Sequence, residues 1–475
     1  MEFFDMALEN THYGAAEIAR MLEGTNKLFF AGIGGVSMCS LARISHLRGY
    51  EVSGYDRSSS AITAALEKMG IDVYYENDAS HIDGCGMVIY TVAIPADTPE
   101  YAEAIKRGIP CVSRADYLGY IMSGYNCRIG LSGMHGKTTT TSMTAKIFTD
   151  AGLDPTASCG GVMKDVGSEY RIGGENYFVF EACEYMDSFL DFYPTVAVVL
   201  NIEMDHVDYF HSMEQIRNSY AAFMAKTGEN GIALVNYCDD DVMKAAEGYT
   251  GRLVTFGVEA DEADYCAANL VYERGCAEYD FVAGGEKLIR IKLNVPGAHC
   301  VCDSLAAAAA AHLQGVAPEV IRDSLATFEG AGRRMDPMGD ARCGGAIYSD
   351  YAHHPTEIAT TLDAASQMNF GHVYCVFQPH TYSRTAELFD DFADSLAHKG
   401  IDEIILAPIY SARETNTYNV ASEDLCNAIN ERGVKCRFIG QFEDIADYLN
   451  KVGKDGDMLL IMGAGDITKV INHLQ

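Results

Sequence analysis

The sequence predicts an α/β protein of three successive domains: a Rossmann-like first domain, a central P-loop α/β domain with added β-hairpins, and a Rossmann-like third. Three observations predict it. Strand, glycine turn and helix follow one another repeatedly along the chain. Two of those turns are rich enough in glycine to bring backbone amides up to a phosphate. The length of 475 residues exceeds what one hydrophobic core holds and suggests about three domains at ~150 residues each. The composition shifts place them at 1–124, 125–329 and 330–475.

Composition narrows the function before any motif is read. Hydrophobic residues make up 48% and charged residues 21%, the balance of an ordinary globular protein. A net charge of −32 without any Lys/Arg run repels nucleic acid and anionic membrane. The Met-Glu-Phe-Phe start is not followed by a leader pattern, and no apolar run approaches ~18 residues, so a cytoplasmic protein acting on small molecules is expected. Fifteen cysteines occur without a CxxC pair, and Cys300 with Cys302 lacks a second half at zinc-like spacing. Reduced, buried thiols are expected.

The first segment opens with the strand NKLFFAGIGG, turns at Gly32, Gly34 and Gly35, and continues as the helix SMCSLARISHLRG before the strand YEVSGYD. Such a turn lets amides approach a pyrophosphate at the helix N-terminus, and Asp56 stands at the strand tip where a ribose hydroxyl is read. Ser37 occupies the place of a third glycine, so a tight packing turn without a ligand is the alternative. Further units at GMVIYTVAIP and IPCVSRADY carry the segment to Gly124.

The second segment begins with NCRIGLSGMHGKTTTTSM. Gly-Lys-Thr follows a strand and opens a helix, the context a phosphate loop requires, yet Leu131 stands where the first glycine of a standard loop belongs. The loop is one residue shorter and starts at Gly133. Its residues Gly133, Met134, His135, Gly136, Lys137, Thr138 and Thr139 are the candidate nucleotide contacts: amides cradle phosphate oxygens, Lys137 offsets their charge, and the Thr138 hydroxyl can hold magnesium. Two later strands end in acids, NYFVFEACE at Glu181 and Glu184 and TVAVVLNIEMDH at Glu203, Asp205 and His206. Parallel strands bring these tips to the loop's edge, where hard oxygens suit Mg²⁺. His206 either ligates the ion or orients a water. The runs LVYERGCAEYDFVAG and EKLIRIKLNVPG read as hairpins, and DSLAAAAAAHLQG as a close-packed helix.

The third segment starts near Gly330 and alternates through IYSDYAHHPTEIATTL, HVYCVFQPHTYSRTAELFDDF, EIILAPIY, VKCRFIG and DMLLIMGAGD. His353 and His354 lie between a strand and a helix that starts at Pro355. Adjacent histidines point different ways, which argues for substrate contact rather than a two-His metal site. His380 and Arg384 flank the next helix start, where the Arg can clamp a carboxylate or the pair can serve as a cap.

These residues resemble the Mur ligases of peptidoglycan synthesis over nearly the whole chain. The likeness rests on AGIGGVSM at 31–38, GMHGKTTTTSM at 133–143, EACE at 181–184, NIEMDHVDYF at 201–210, GAGRRM at 330–335, DYAHHPTEI at 350–358, QPHTYSRT at 378–385 and MGAGDI at 462–467. The shortened loop is itself a mark of that family. The resemblance implies a first domain for the UDP-sugar, a central ATP-binding domain and a third bringing the amino acid. It implies ATP and Mg²⁺ as cofactors, UDP-N-acetylmuramate and L-alanine as substrates, and a monomer or homodimer. By position it assigns Lys137 to the phosphates and Thr138, Glu181 and His206 to the metal. Arg334 would reach the ATP phosphates, His354, His380 and Arg384 would serve the incoming amino acid, and Gly35 and Asp56 the uridine diphosphate.

The chain departs from the family pattern where Gly297-Ala298-His299-Cys300 and Asp303 replace a Gly-x-His-Asn segment and a second Asn near the adenine. A thiol and a carboxylate cannot present the paired donor and acceptor of an amide, so relaxed base selectivity is expected. Thr91 and Thr98 are milder departures on the UDP-sugar side. Competing readings are a family member adding a preformed peptide, an NAD-dependent dehydrogenase suggested by the first glycine turn, and a nucleotide-binding homologue with weakened catalysis. The dehydrogenase leaves the phosphate loop and both acidic strand tips without a purpose.

Overall fold

The computed structural model describes residues 8–206, 209–273, 275–412 and 414–475. They fall into two compact units, one running to Phe256 and including Ala306–Val320, the other made of Gly257–Leu305 and Ile321–Gln475.

The first unit holds two sheets. In the first the strand order is Asp72–Tyr74, Glu51–Tyr55, Lys27–Ala31, Met87–Tyr90, Cys111–Ser113, all parallel. The order reverses beside Lys27–Ala31, whose following turn is the ligand crevice of such sheets. The second sheet runs Ser168–Arg171, Thr156–Met163, Tyr177–Glu181, Cys127–Ser132, Val196–Val199, Ile232–Asn236, Arg252–Val258, parallel except at its first strand. Val196–Val199 is buried at every position, as an apolar run covered on both faces should be. Register fixes the functional edge: Leu131 pairs with Glu181 and Ser132 with Val199, so the loop after Ser132 and both acidic tips emerge together.

The helix after the loop, Lys137–Asp150, is built from poor helix formers. Its hydroxyls bond back along the helix, Thr140 to the Gly136 carbonyl at 2.9 Å, Ser142 to Thr138 at 2.8 Å and Thr144 to Thr140 at 2.7 Å. Residues 138–145 are all buried, which short side chains permit. An aromatic cluster supports the strands beneath: the Phe189 and Phe223 rings stack at 4.6 Å and Phe180 meets Phe192 at 5.4 Å.

The second unit contains the antiparallel strands Tyr265–Glu273, Cys276–Ala283 and Glu286–Pro296, which are the expected hairpins. It also holds a six-stranded sheet of order Asp336–Asp340, Ala346–Asp350, Met458–Met462, Val373–Phe377, Glu403–Leu406, Cys436–Phe438. All pairs are parallel except the first. That first strand carries Pro337, which hides it from sequence reading and suits an edge position. Every described cysteine is a free thiol, and among the described residues no helix is long and apolar enough to cross a membrane.

Candidate active site

The phosphate loop is held open by backbone geometry. Gly133 has φ 145° and Gly136 has φ 81°, both outside the range of ordinary side chains. A Cβ at Gly133 would sit 2.9 Å from that of Leu200. Asn201, just beyond Val196–Val199, fastens the loop from outside: its Oδ1 accepts from the His135 amide at 2.9 Å, its Nδ2 donates to the His135 carbonyl at 3.1 Å, and its own carbonyl accepts from the Met134 amide at 3.4 Å. Asn201→Ala should therefore cost about 1–3 kcal/mol, as two orphaned backbone groups lose partners. Slower amide exchange at His135 in the parent than in the variant is the result expected by hydrogen-exchange mass spectrometry.

Lys137 extends back over this loop. Its ammonium donates to the Gly133 carbonyl at 2.5 Å and the Met134 carbonyl at 3.1 Å, and lies 3.0 Å from Glu184 Oε2. Glu184 is 1% exposed, so this is a buried pair. Burial works against both charges, but the Glu184 carboxylate keeps Lys137 above its ordinary pKa. For Glu184, too, burial opposes the charge, yet Lys137 and the His206 hydrogen bond outweigh it and hold the carboxyl below its usual range. His206 Nε2 lies 3.0 Å from Glu184 Oε1. The histidine takes φ 50°, and Met186 and Asp187 take φ 53° and 54°, a concentration of strained backbone of the kind found at ligand sites.

Thr138 and Glu181 form a second pair, the hydroxyl donating to Glu181 Oε2 at 2.9 Å. The same oxygen accepts from the Gly160 amide at 2.7 Å. Gly160 is required by space, since a Cβ there would lie 2.7 Å from Glu181 Oε1. A hydroxyl and a carboxylate at adjoining positions are the hard donors that Mg²⁺ prefers. Thr139, one residue on, is buried in the helix. Glu203 Oε2 stands 3.3 Å from His135 Nε2. The structure thus brings Lys137, Thr138, Glu181 and His206 to one edge as expected. It adds Glu184, Asn201 and Gly160, of which only Glu184 carried a sequence signal, as a second acid on its strand tip.

At the first sheet's turn, Gly34 donates to Asp56 Oδ2 at 2.9 Å, and the Gly32 and Ile33 amides donate to the Tyr55 carbonyl at 2.8 and 3.0 Å. Asp56 therefore shapes the turn with one oxygen. Gly35 is the N-cap of the helix Val36–Leu47.

In the second unit, Asp350 at the end of its strand accepts from the Met335 and Ala352 amides at 2.7 and 2.8 Å. Burial nevertheless raises its pKa, although Arg334 opposes that. Arg333 and Arg334 lie over the Tyr351 ring at 4.7 and 5.0 Å. His354 is the N-cap of the helix Pro355–Ser366, accepting from the Thr356 amide at 3.4 Å, while Glu357 returns to the His353 and His354 amides. The His354 ring is thereby engaged by its own helix. His380 stacks on Tyr410 at 5.5 Å and meets His353 at 5.9 Å, and Arg384 lies in the helix Tyr382–Glu387 beyond it. Glu414 caps that helix, accepting from the Tyr382 and Ser383 amides at 2.7 and 3.0 Å and from the Ser383 hydroxyl at 2.5 Å.

Burial, then the nearby Arg334 charge, lowers the His299 pKa to about 4, and burial with His353 and Arg384 lowers His380 to about 4. A folded pKa below the ordinary 6.5 means that the unfolded chain binds the proton first, so stability is complete above pH 6.5 and falls as the pH drops towards 4. For His299 the loss by pH 4 is ~3 kcal/mol. Urea midpoints between pH 7 and pH 4 should fall less steeply for His299→Asn than for the parent.

A short phosphate loop on a parallel sheet, with a lysine held by a buried glutamate and hard oxygen donors alongside, defines a nucleotide-dependent group-transfer protein. Comparison with known proteins narrows that class. The "Mur ligase family, catalytic domain" matches residues 27–126, the "Mur ligase middle domain" 131–311 and the "Mur ligase, glutamate ligase domain" 333–465. The chain belongs to the Mur ligase family. It is 44% identical to the UDP-N-acetylmuramate–L-alanine ligase of Lachnospira eligens, over 93% of this chain and 96% of that one. It is 42% identical to the enzyme of the same name from Clostridium acetobutylicum, over 94% and 96%. Among solved structures, the fold is similar to the UDP-N-acetylmuramate-alanine ligase of Thermotoga maritima, with a TM-score of 0.77 at 24% identity over 94% of this chain and 98% of that one. It is also similar to a murein peptide ligase of Psychrobacter arcticus, with a TM-score of 0.68 at 22% identity over 94% and 98%.

Proposed function

We infer that the protein is an ATP-dependent ligase that joins L-alanine to the lactyl carboxylate of UDP-N-acetylmuramate, in the cytoplasm, during peptidoglycan precursor synthesis. The observation that carries this reading is the Lys137–Glu184 pair at 3.0 Å beside the Thr138–Glu181 pair at 2.9 Å. The names of the similar ligases supply the substrates. Residues 1–124 then serve the UDP-sugar, 125–329 the ATP and 330–475 the amino acid.

An amine does not displace oxide from a carboxylate at neutral pH, so the carboxylate must first accept the γ-phosphoryl group of ATP. Lys137 neutralises charge on the phosphoryl oxygens as they transfer. Glu184 fixes its direction, and the loop amides from Gly136 to Thr138 hold the phosphates in line, the His135 amide being held by Asn201. The resulting acyl phosphate carries a good leaving group. The alanine amine attacks its carbonyl through a tetrahedral intermediate, phosphate departs, and the amide forms. Mg²⁺ fits Thr138 and Glu181, with His206 as a further donor, and when bound supplies charge neutralisation to the phosphates. Arg384 is the group suited to clamp the alanine carboxylate, because a guanidinium pairs with it through two parallel hydrogen bonds.

Phosphate release from ATP tests the reading. Release that requires UDP-N-acetylmuramate and L-alanine together is the expected result; release with neither, or with a preformed peptide in place of alanine, overturns it. Nucleotide selectivity is a separate expectation. Cys300 is buried and its thiol donates to the Pro296 carbonyl at 3.3 Å, leaving little to offer an adenine edge. GTP should therefore support turnover within about tenfold of ATP, a difference of about 1.4 kcal/mol. A preference well beyond that would show that other groups read the base.

A further inference from the structure

The segment before the first strand is tied into the unit by an acidic cluster that the ligase reaction does not use. The Glu9 carbonyl accepts from the Tyr90 hydroxyl at 2.6 Å, and the Tyr13 amide donates to Asp116 Oδ2 at 3.1 Å. The Thr11 hydroxyl bridges, donating to the same Asp116 oxygen and accepting from the Ser113 amide at 3.1 Å. The Ala15 amide donates to the Tyr193 hydroxyl at 3.1 Å. Between these anchors His12 takes φ 54° and presents Nδ1 to Asp191 Oδ1 at 2.8 Å.

The two carboxylates are built in. Asp116 is 1% exposed and Asp191 8%. Gly119 lets the Asp191 backbone approach the helix that carries Asp116, since a Cβ there would collide with the Asp191 carbonyl oxygen. Each acid has one oxygen engaged, while Asp116 Oδ1 and Asp191 Oδ2 are buried and accept no hydrogen bond among the described residues. An imidazole nitrogen and two carboxylate oxygens all lie within 4.8 Å of one another.

Two buried carboxylates facing each other with unused lone pairs repel, and burial adds to the cost. The cations in reach do not resolve this. Burial and Asp116 hold the Asp191 carboxyl above its ordinary range even with His12 and Lys226 nearby. Arg114 is close enough to feel Asp191, but its guanidinium donates to the Ser37 hydroxyl at 3.1 Å. Asp187 adds further negative charge toward His12.

We propose that His12, Asp116 and Asp191 bind a divalent first-row cation, of the Zn²⁺ or Mn²⁺ kind, which fastens the segment Glu9–Ala15 to the segment that leaves Glu184. One imidazole with two carboxylates matches those ions better than the all-oxygen preference of Mg²⁺. Asp191 closes the 3₁₀ helix Tyr185–Asp191, which starts next to Glu184, so the ion would stiffen one margin of the active site from behind.

Zn²⁺ titration of the full chain by calorimetry, with Mg²⁺ in excess to occupy the phosphate-loop donors, tests the proposal. The parent should bind one more Zn²⁺ than His12→Ala, or bind it with about tenfold or greater advantage. His12 has a 59% exposed side chain, so its removal leaves the fold intact; Asp191→Asn should behave alike. Crystals soaked in Zn²⁺ should show an anomalous peak ~2.0–2.2 Å from His12 Nδ1 and a carboxylate oxygen. Equal stoichiometry and affinity in parent and His12→Ala, with no peak at this cluster, would overturn the proposal and leave a proton as the occupant.

Discussion

Replacing Lys137 with alanine is expected to abolish measurable ligation and to destabilise the unit, two effects that a second substitution separates. The rate effect follows from charge. Removing one preorganised donor from a developing oxyanion costs roughly 10²–10³ in rate, and a lysine on transferring phosphoryl oxygens carries a full charge besides. The stability effect has a different origin. Glu184 is 1% exposed and would keep His206, at 3.0 Å, but no lysine charge after losing Lys137. Truncating one partner of a buried ion pair costs about 3–5 kcal/mol. Lys137→Ala with Glu184→Gln removes the stranded charge, so urea denaturation should show most of that stability restored while phosphate release stays absent. Recovery of activity in the double variant would mean that Lys137 acts through structure alone.

Disturbing Glu181 is expected to be nearly as damaging, and the structure offers two ways to do it. Glu181→Gln keeps the shape but removes the charge, and should weaken Mg²⁺ binding and phosphate release by about 10²-fold or more. Gly160→Ala leaves every donor in place, yet its Cβ would fall 2.7 Å from Glu181 Oε1 and must displace that carboxylate. The expected loss of Mg²⁺ affinity is about 10–100-fold, the range seen when a supporting contact to a metal ligand is removed. Mn²⁺ titration followed by electron paramagnetic resonance reads both variants without turnover. Unchanged affinity in both would remove Glu181 from the metal site.

The sequence made the phosphate loop legible because strand, glycines, lysine and helix are contiguous, and a loop of that kind needs little from elsewhere in the chain. The acidic strand tips were legible for a related reason: parallel strands that end in carboxylates must deliver them to one edge. Glu184 was visible as an acid, but its partnership with Lys137 and His206 was not, because it depends on left-handed backbone at Met186, Asp187 and His206. Asn201 and Gly160 act on residues 66 and 21 positions away, beyond the reach of local patterns. His354 read as a substrate group because it follows a strand and precedes a helix; the hydrogen bond its ring accepts from the Thr356 amide carried no sequence signal. Glu414 escaped for want of any local signal, reaching its helix from 31 or 32 residues away. The strands Thr156–Met163 and Asp336–Asp340 were hidden by Gly160 and Gly161 in one and Pro337 in the other. Alternation fails at such residues even where pairing survives.

The central claim is that this loop sends a phosphoryl group to a carboxylate rather than to water. UDP-N-acetylmuramate labelled with ¹⁸O in its lactyl carboxylate, incubated with ATP and L-alanine in unlabelled water, tests it by mass spectrometry of the released phosphate. Transfer through an acyl phosphate predicts one ¹⁸O in each phosphate released, carried off as the amide forms. Phosphate free of label, with amide still produced, would contradict the account.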